Sequence, residues 1–314
     1  MTDPRGRAPS DLLSDDTRMG AVTLHVRDLD LMTRYYRDAL TLGEMAVPDG
    51  LELPDGAGRS ETVVLGRGGT PLVVLHRERD LPAPGRGEAG LFHTAVLFDD
   101  EAGLAHALAS VATTAPSTFV GSADHLVSQA FYFTDPEGNG VELYADRPRD
   151  QWAWDGAHVR MDTVYLDPNG FLGDHLTDAA RDALATADAE ARADATAAAG
   201  AVVGHVHLQV GDVHAARAFY VDALGFAETA SVPGALFVSA GGYHHHMAMN
   251  TWNSRGAGPR ASTLGLGTVA ISVPGADDLG ALRERLARAG VAVRDDGATL
   301  RFDDPWRNRV EVGT

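Results

Sequence analysis

An internal repeat constrains this chain more than any other feature. Residues 20–40 (GAVTLHVRDLDLMTRYYRDAL) superpose without gaps on residues 204–224 (GHVHLQVGDVHAARAFYVDAL) at a constant offset of 184. Each copy predicts a strand with alternating apolar residues (Val22, Leu24, Val26; Val206, Leu208, Val210), then an Asp in capping position, then a helix carrying an aromatic pair. A second pair, DPEGNGVE at 135–142 and DPWRNRVE at 304–311, shares Asp-Pro, Asn and Glu at one spacing and predicts a turn leading into a strand. Residues 91–98 and 266–273 read as strands, each followed by a helix. The chain therefore parses into four strand–helix–strands modules: A at about 19–77, B at about 90–146, C at about 202–252 and D at about 265–314.

The 314 residues fit two domains of ordinary size. The expected boundaries are a flexible N-terminus (1–16), a first domain of modules A and B (17–148), a linker with an Ala-rich acidic helix (149–200) and a second domain of modules C and D (201–314). No chemistry is assigned to the Ala-rich stretch 176–200, and Trp152, Trp154 and Tyr165 are read as packing anchors of a connector. The formal charge of −18 opposes binding to nucleic acid or anionic lipid. With no cysteine, disulfides, thiolate nucleophiles, Cys-ligated zinc and iron–sulfur clusters are excluded, so any metal falls to His, Asp or Glu. Thirteen histidines, three of them consecutive at His244–His246, make such a metal a reasonable expectation. No stretch reads as a signal peptide or membrane helix, so a cytoplasmic location is expected.

Four such modules, with a Gly-His start and an Asp-Pro…Glu end, resemble the vicinal oxygen chelate superfamily, which includes glyoxalases, fosfomycin-resistance proteins and extradiol ring-cleaving dioxygenases. Module B carries the more specific likeness, to the extradiol dioxygenase motif: His125, LVSQA, Phe131-Tyr132, FT, Asp135-Pro136-Glu137-Gly138, NGV, Glu142. One position departs from that motif, Ala123, where the family usually has Gly or another of a small set. The chain as a whole is similar to two-domain catechol-2,3-dioxygenases through DHLVSQAFYFTDPEGNGVELYADRPR, GHVHLQV and ALFVSAGGYHHHMAMNTW. The resemblance implies an α+β fold of four βαβββ modules that pair into cup-shaped mixed β-sheets with flanking helices. Metal ligands would come from the first and last strands of the paired modules.

Aligning the first strands places Ala21, His93, His205 and Thr268 at the ligand position; the last strands offer Glu142 in B, His246 in C, Glu311 in D and an apolar residue near Val73 in A. Pairing within halves would give a C–D cup with His205, His246 and Glu311, but Arg294 and Arg301 would replace His125 and Tyr132. Pairing B with C puts His93, His205 and Glu142 at what the resemblance implies are the family's three iron-ligand positions, beside His125, Tyr132 and the histidine run. This second arrangement is preferred because it gathers every retained polar group.

Two imidazoles and a carboxylate suit non-haem Fe(II), with Mn(II) compatible with the same set. The resemblance implies opening of catechol or a substituted catechol by O₂ to a 2-hydroxymuconic semialdehyde. His245 or His246 would act as the acid–base residue, and His125 and Tyr132 would hydrogen-bond the substrate. Strand alternation puts His244 and His246 on one face and His245 on the other, and His246 also aligns with the fourth ligand of glyoxalases. His25, His76, His106, His158, His175 and His214 are read as structural; His207 shares a strand face with His205, but an ordinary partner is the simpler expectation. The alternatives are a hydroquinone-cleaving dioxygenase, a four-ligand glyoxalase or epimerase, and a metal-free binding protein. Expected partners are a small aromatic diol and O₂, with no nucleic acid or membrane, and a homo-oligomer is possible.

Overall fold

The computed structural model describes residues 11–47, 61–185 and 200–314. Each module is built as the repeat predicts. Module A contains β1 (Arg18–Val26), a helix from Leu29–Arg34, β2 (Gly43–Met45), β3 (Thr62–Arg67) and β4 (Thr70–Arg77). Module B contains β5 (Gly90–Phe98), the helix Glu101–Thr114, β6 (Phe119–Asp124), β7 (Ser128–Thr134) and β8 (Gly140–Asp146). After a connector with the short strands β9 (Trp154–Asp155) and β10 (His158–Val159), module C supplies β11 (Ala201–Gln209), the helix Val213–Arg217, β12 (Ala227–Val232), β13 (Ala235–Ser239) and β14 (Met247–Asn250). Module D supplies β15 (Gly265–Ser272), the helix Ala276–Arg288, β16 (Arg294–Asp295), β17 (Thr299–Asp303) and β18 (Arg309–Gly313).

The repeat's capping aspartates, Asp28 and Asp212, act as expected, and Asp100 caps the module B helix in the same way. Asp28, Asp100 and Asp212 accept from the backbone N–H groups of Leu31, Gly103 and Ala215, satisfying donors that a helix N-terminus leaves open. In both copies of the repeat the helix then widens into a π-turn, at Tyr35–Ala39 and at Ala218–Ala223. That turn carries Tyr36 and Tyr220, which are fully buried and donate to Asp135 and Asp304 over 3.0 and 2.9 Å. Asn139 and Asn308 donate to the same carboxylates, each over 2.9 Å. The repeated Asp-Pro…Asn turn is thus a structural knot that ties module A to B and module C to D.

The strands form two eight-stranded mixed sheets, β16-β17-β18-β15-β1-β4-β3-β2 and β12-β13-β14-β11-β5-β8-β7-β6. Each sheet joins modules from opposite halves of the chain: D with A through the antiparallel pair β1–β15, and C with B through the antiparallel pair β5–β11. This is the cross-pairing that the retained histidines favoured. Alternation along β1 and β11 sends Val22, Leu24, Val26, Val206 and Leu208 into one hydrophobic core that the sheets share, and leaves the other face to line a cup.

The connector is partly ordered by packing. Trp152 is buried against Val127 and Tyr243, and its indole N–H donates to the Arg147 carbonyl over 2.9 Å. Trp154 packs partly buried on the same cluster, whereas Tyr165 is 79% exposed and anchors nothing. The Ala-rich stretch starts as the helix Asp178–Ala185; residues 186–199 and 1–10 lie outside the described residues. From the segment assigned to the flexible N-terminus, Leu13 is buried and its N–H donates to Gly225 O over 2.8 Å. Among the described residues no helix is long and apolar enough to cross a membrane.

Candidate metal centre

The B–C cup encloses a cavity of about 1010 Å³. Three strands bring their donors together in it: β5 presents His93, β8 presents Glu142 and β11 presents His205. His93 Nε2 and His205 Nε2 stand 3.0 and 3.2 Å from Glu142 Oε2 and 3.4 Å from each other. All three side chains are buried, and theirs is the one group of three or more His, Asp or Glu residues with metal-binding spacing among the described residues. Donors held this close together could converge on one ion at the ~2.1 Å distance usual for imidazole nitrogen and carboxylate oxygen.

Burial works against ionisation of Glu142, but the His205 and His93 imidazoles outweigh it and hold its carboxyl well below the usual range. Burial also pushes His205 down to about 4, with Glu142 pulling the other way. At neutral pH His205 is therefore a neutral imidazole and Glu142 a carboxylate, the protonation states in which these side chains bind metals.

Around this trio stand further polar groups. Tyr132 is directly across the β7–β8 ladder from Glu142, and its hydroxyl lies 2.6 Å from His125 Nε2. His125 Nδ1 lies 2.8 Å from the Asp162 carbonyl oxygen, which orients the ring. Burial, reinforced by the Glu142 charge, keeps the Tyr132 phenol well above its ordinary pKa, so it serves as a hydroxyl and not a phenolate. His245 lines the cavity with its ring centroid 4.1 Å from that of His205. Burial, helped by His205 and His244, pushes His245 well below the usual histidine value.

His246 does not join them. Its Nδ1 is taken by Ser239 Oγ at 2.9 Å and by the Ala240 N–H at 3.2 Å, and its ring stacks on Phe226, away from the cavity lining. The strand register explains the misplacement. Ala95, two residues after His93, pairs with Glu142, and His207, two residues after His205, pairs with Ala248. Ala248 therefore occupies in module C the place that Glu142 has in module B, and His246 precedes β14. Both catalytic service and a fourth-ligand role for His246 are incompatible with this position.

Strand alternation already allowed one further lining residue, His207. His207 does reach the cavity while also having an ordinary partner, Asn250 Nδ2 at 3.0 Å from its Nε2. Phe92, Phe237 and Trp252 form an aromatic wall beside it, with Phe92 and His207 ring centroids 4.9 Å apart. The connector contributes residues 158–163 to the cavity lining, so His158, read as structural, is a lining residue.

The A–D cup has a cavity of comparable size, about 1170 Å³, and a different chemistry. Glu311 is held by Arg301 Nε at 2.9 Å, and Arg301 also pairs with Asp296 at 2.8 Å. Arg301 stands across the ladder from Glu311 as Tyr132 stands across from Glu142. Ala21 and Thr268 supply no imidazole there, and Glu311 belongs to a different sheet from His205. A C–D metal site is thereby ruled out by topology.

A family model for the Glyoxalase/Bleomycin resistance protein/Dioxygenase superfamily matches residues 18–143 and 202–312. The chain is 32% identical over 298 residues to a protein of Bacillus subtilis (strain 168) named Catechol-2,3-dioxygenase, covering 93% of this chain and 95% of the relative. Among solved structures, glyoxalase I from Zea mays matches with a TM-score of 0.53 at 15% identity, covering 95% of this chain and 92% of its own. The cppA protein from Streptococcus pneumoniae TIGR4 matches with a TM-score of 0.54 at 12% identity, covering 96% and 99%. At those identities the two structures speak for the fold alone. The repeated modules, the cross-paired sheets and these matches together place the chain in the glyoxalase, bleomycin resistance protein and dioxygenase superfamily.

Proposed function

We propose that this chain is a non-haem Fe(II) extradiol dioxygenase that opens catechol or a substituted catechol beside its two hydroxyls. The observation that carries the reading is the convergence of His93, His205 and Glu142 at 3.0–3.4 Å inside an aromatic-walled cavity that also holds His125, Tyr132 and His245. The name of the Bacillus subtilis relative supports the substrate class. Mn(II) suits the same ligands.

His93, His205 and Glu142 would hold the metal, which when bound supplies adjacent open positions for the diol and O₂ and a path for electrons between them. His245, kept neutral by burial, accepts a proton from a catechol hydroxyl: the O–H bond breaks, an N–H bond forms, and the charge stays on the oxygen. Tyr132 and His125 hydrogen-bond the substrate oxygens. The wall of Phe92, Phe237, Trp252 and His207 packs the ring and excludes water. Both atoms of O₂ enter the product, so catechol plus O₂ gives 2-hydroxymuconic semialdehyde with no external reductant.

The test is oxygen uptake by protein reconstituted anaerobically with Fe(II). Consumption of O₂ with a catechol and appearance of a yellow ring-opened product is the expected result. Absence of uptake across a panel of catechols overturns the proposal, and uptake with para-diols alone replaces it by hydroquinone cleavage. A four-ligand glyoxalase-type centre draws no support, because its fourth ligand would have to be His246.

A further inference from the structure

Behind His245 runs a chain of paired groups that ends outside the cup. His244 is wholly buried; its Nε2 lies 3.0 Å from Asp146 Oδ1, and its Nδ1 lies 2.7 Å from His245 Nδ1. Tyr243, whose hydroxyl is 2.7 Å from that of Tyr144, donates to the same Asp146 oxygen over 3.3 Å. A carboxylate only accepts hydrogen bonds, so the His244 proton sits on Nε2. With Nε2 donating to Asp146, the Nδ1 lone pair of His244 faces His245, and their short contact is a hydrogen bond when the proton sits on His245 Nδ1. With that nitrogen occupied, Nε2 is the His245 nitrogen left for a molecule in the cavity, and it carries a lone pair.

We propose that Asp146 and His244 are positioning residues that fix His245 as the Nδ1–H tautomer, presenting a bare Nε2 to the substrate hydroxyl. This rests on the ring-cleavage reading for its catalytic consequence, but not for the tautomer itself. Two rings and a carboxylate in series lock both the orientation and the proton position of His245, where His245 alone could present either nitrogen. The Asp146 carboxylate sits at the end of β8, four residues beyond Glu142, so one strand sets both a proposed metal ligand and the terminus of this chain.

The test is the ¹⁵N spectrum of the histidine-labelled full-length chain, as isolated and loaded with diamagnetic Zn(II), in which protonated and bare ring nitrogens resonate far apart. Signals lost in His245→Gln identify the residue. The expected pattern for His245 is a protonated Nδ1 and a bare Nε2. Asp146→Ala should convert it to a mixture or to Nε2–H and lower kcat on catechol by roughly 10²-fold with little change in KM. Asp146→Glu, which returns the carboxylate, should recover the original pattern. A protonated Nε2 in the unsubstituted protein, or an unchanged His245 pattern in Asp146→Ala, overturns the proposal. The expected spectra without oxygen uptake on any catechol would instead uphold the tautomer and overturn the dioxygenase reading.

Discussion

His125 and Tyr132 illustrate what a single polar contact contributes in this cup. Their 2.6 Å pair is anchored from behind by the Asp162 carbonyl, so the hydroxyl has a fixed direction before any substrate arrives. Tyr132→Phe removes the hydroxyl and keeps the ring, which should leave bound iron unchanged and reduce kcat by roughly 10²-fold; a metal assay alongside steady-state oxygen uptake checks both. Residue identities in the dioxygenase motif were readable from sequence, because spacing between β7 and β8 is fixed by a hairpin. The histidine triplet was not. Residues 241–246 form turns with Gly241 and Gly242 at φ of 61° and 66°, so the alternation that holds inside a strand has no force there. Gly241 also has no room for a side chain, since a Cβ would meet the Asp15 carbonyl oxygen.

At the scale of elements, β11 is the strand on which the site depends most, because it carries His205 and forms the seam with β5. Its Gly204 admits the Tyr144 hydroxyl, which would stand 1.7 Å from an added Cβ. Gly204→Ala should therefore displace either Tyr144 or the strand, cost about 1–3 kcal/mol of stability and weaken iron retention, as denaturant melts and metal analysis would show. The Asp-Pro turns make a contrasting case. Asp304 is buried among Tyr220, Asn308 and two backbone N–H groups, and it lines the A–D cup, not the B–C one. Asp304→Ala strands those donors and should cost roughly 1–3 kcal/mol for each one left unsatisfied, with the iron content of the folded fraction unchanged. The repeat announced both turns and both strand–helix units. It gave no sign of the cavity lining at residues 158–163, because that connector has neither periodicity nor a second copy to align with.

For the whole molecule, the consequence of cross-pairing is that neither half of the chain owns the site. His93 and Glu142 come from the first half and His205 from the second, so residues 11–185 alone lack a ligand. Sequence disclosed this arrangement through a simple asymmetry: modules B and C keep histidine at the first-strand position while A and D have lost it. The A–D cup shows the other outcome of the same duplication, with Arg301 neutralising a leftover Glu311.

That second cup also bears on acid stability. Burial, together with His76, Arg260 and Arg309, holds His25 down to about 4, below its ordinary 6.5. Between those two values the unfolded chain binds more protons than the folded one. Stability is therefore intact above pH 6.5 and falls as pH drops toward about 4, by about 3 kcal/mol at most from this group. Denaturant melts from pH 7 to 4.5 should show a decline, and His25→Gln should make it shallower while His205, also held down to about 4, still contributes.

The central claim is that the B–C cup holds one iron through His93, His205 and Glu142. Metal analysis of anaerobically reconstituted Glu142→Ala and Glu311→Ala tests it most directly, since these carboxylates occupy equivalent places in the two cups. Loss of iron in Glu142→Ala with full occupancy in Glu311→Ala is the predicted result. Iron retained in Glu142→Ala, or lost in Glu311→Ala, would contradict the account.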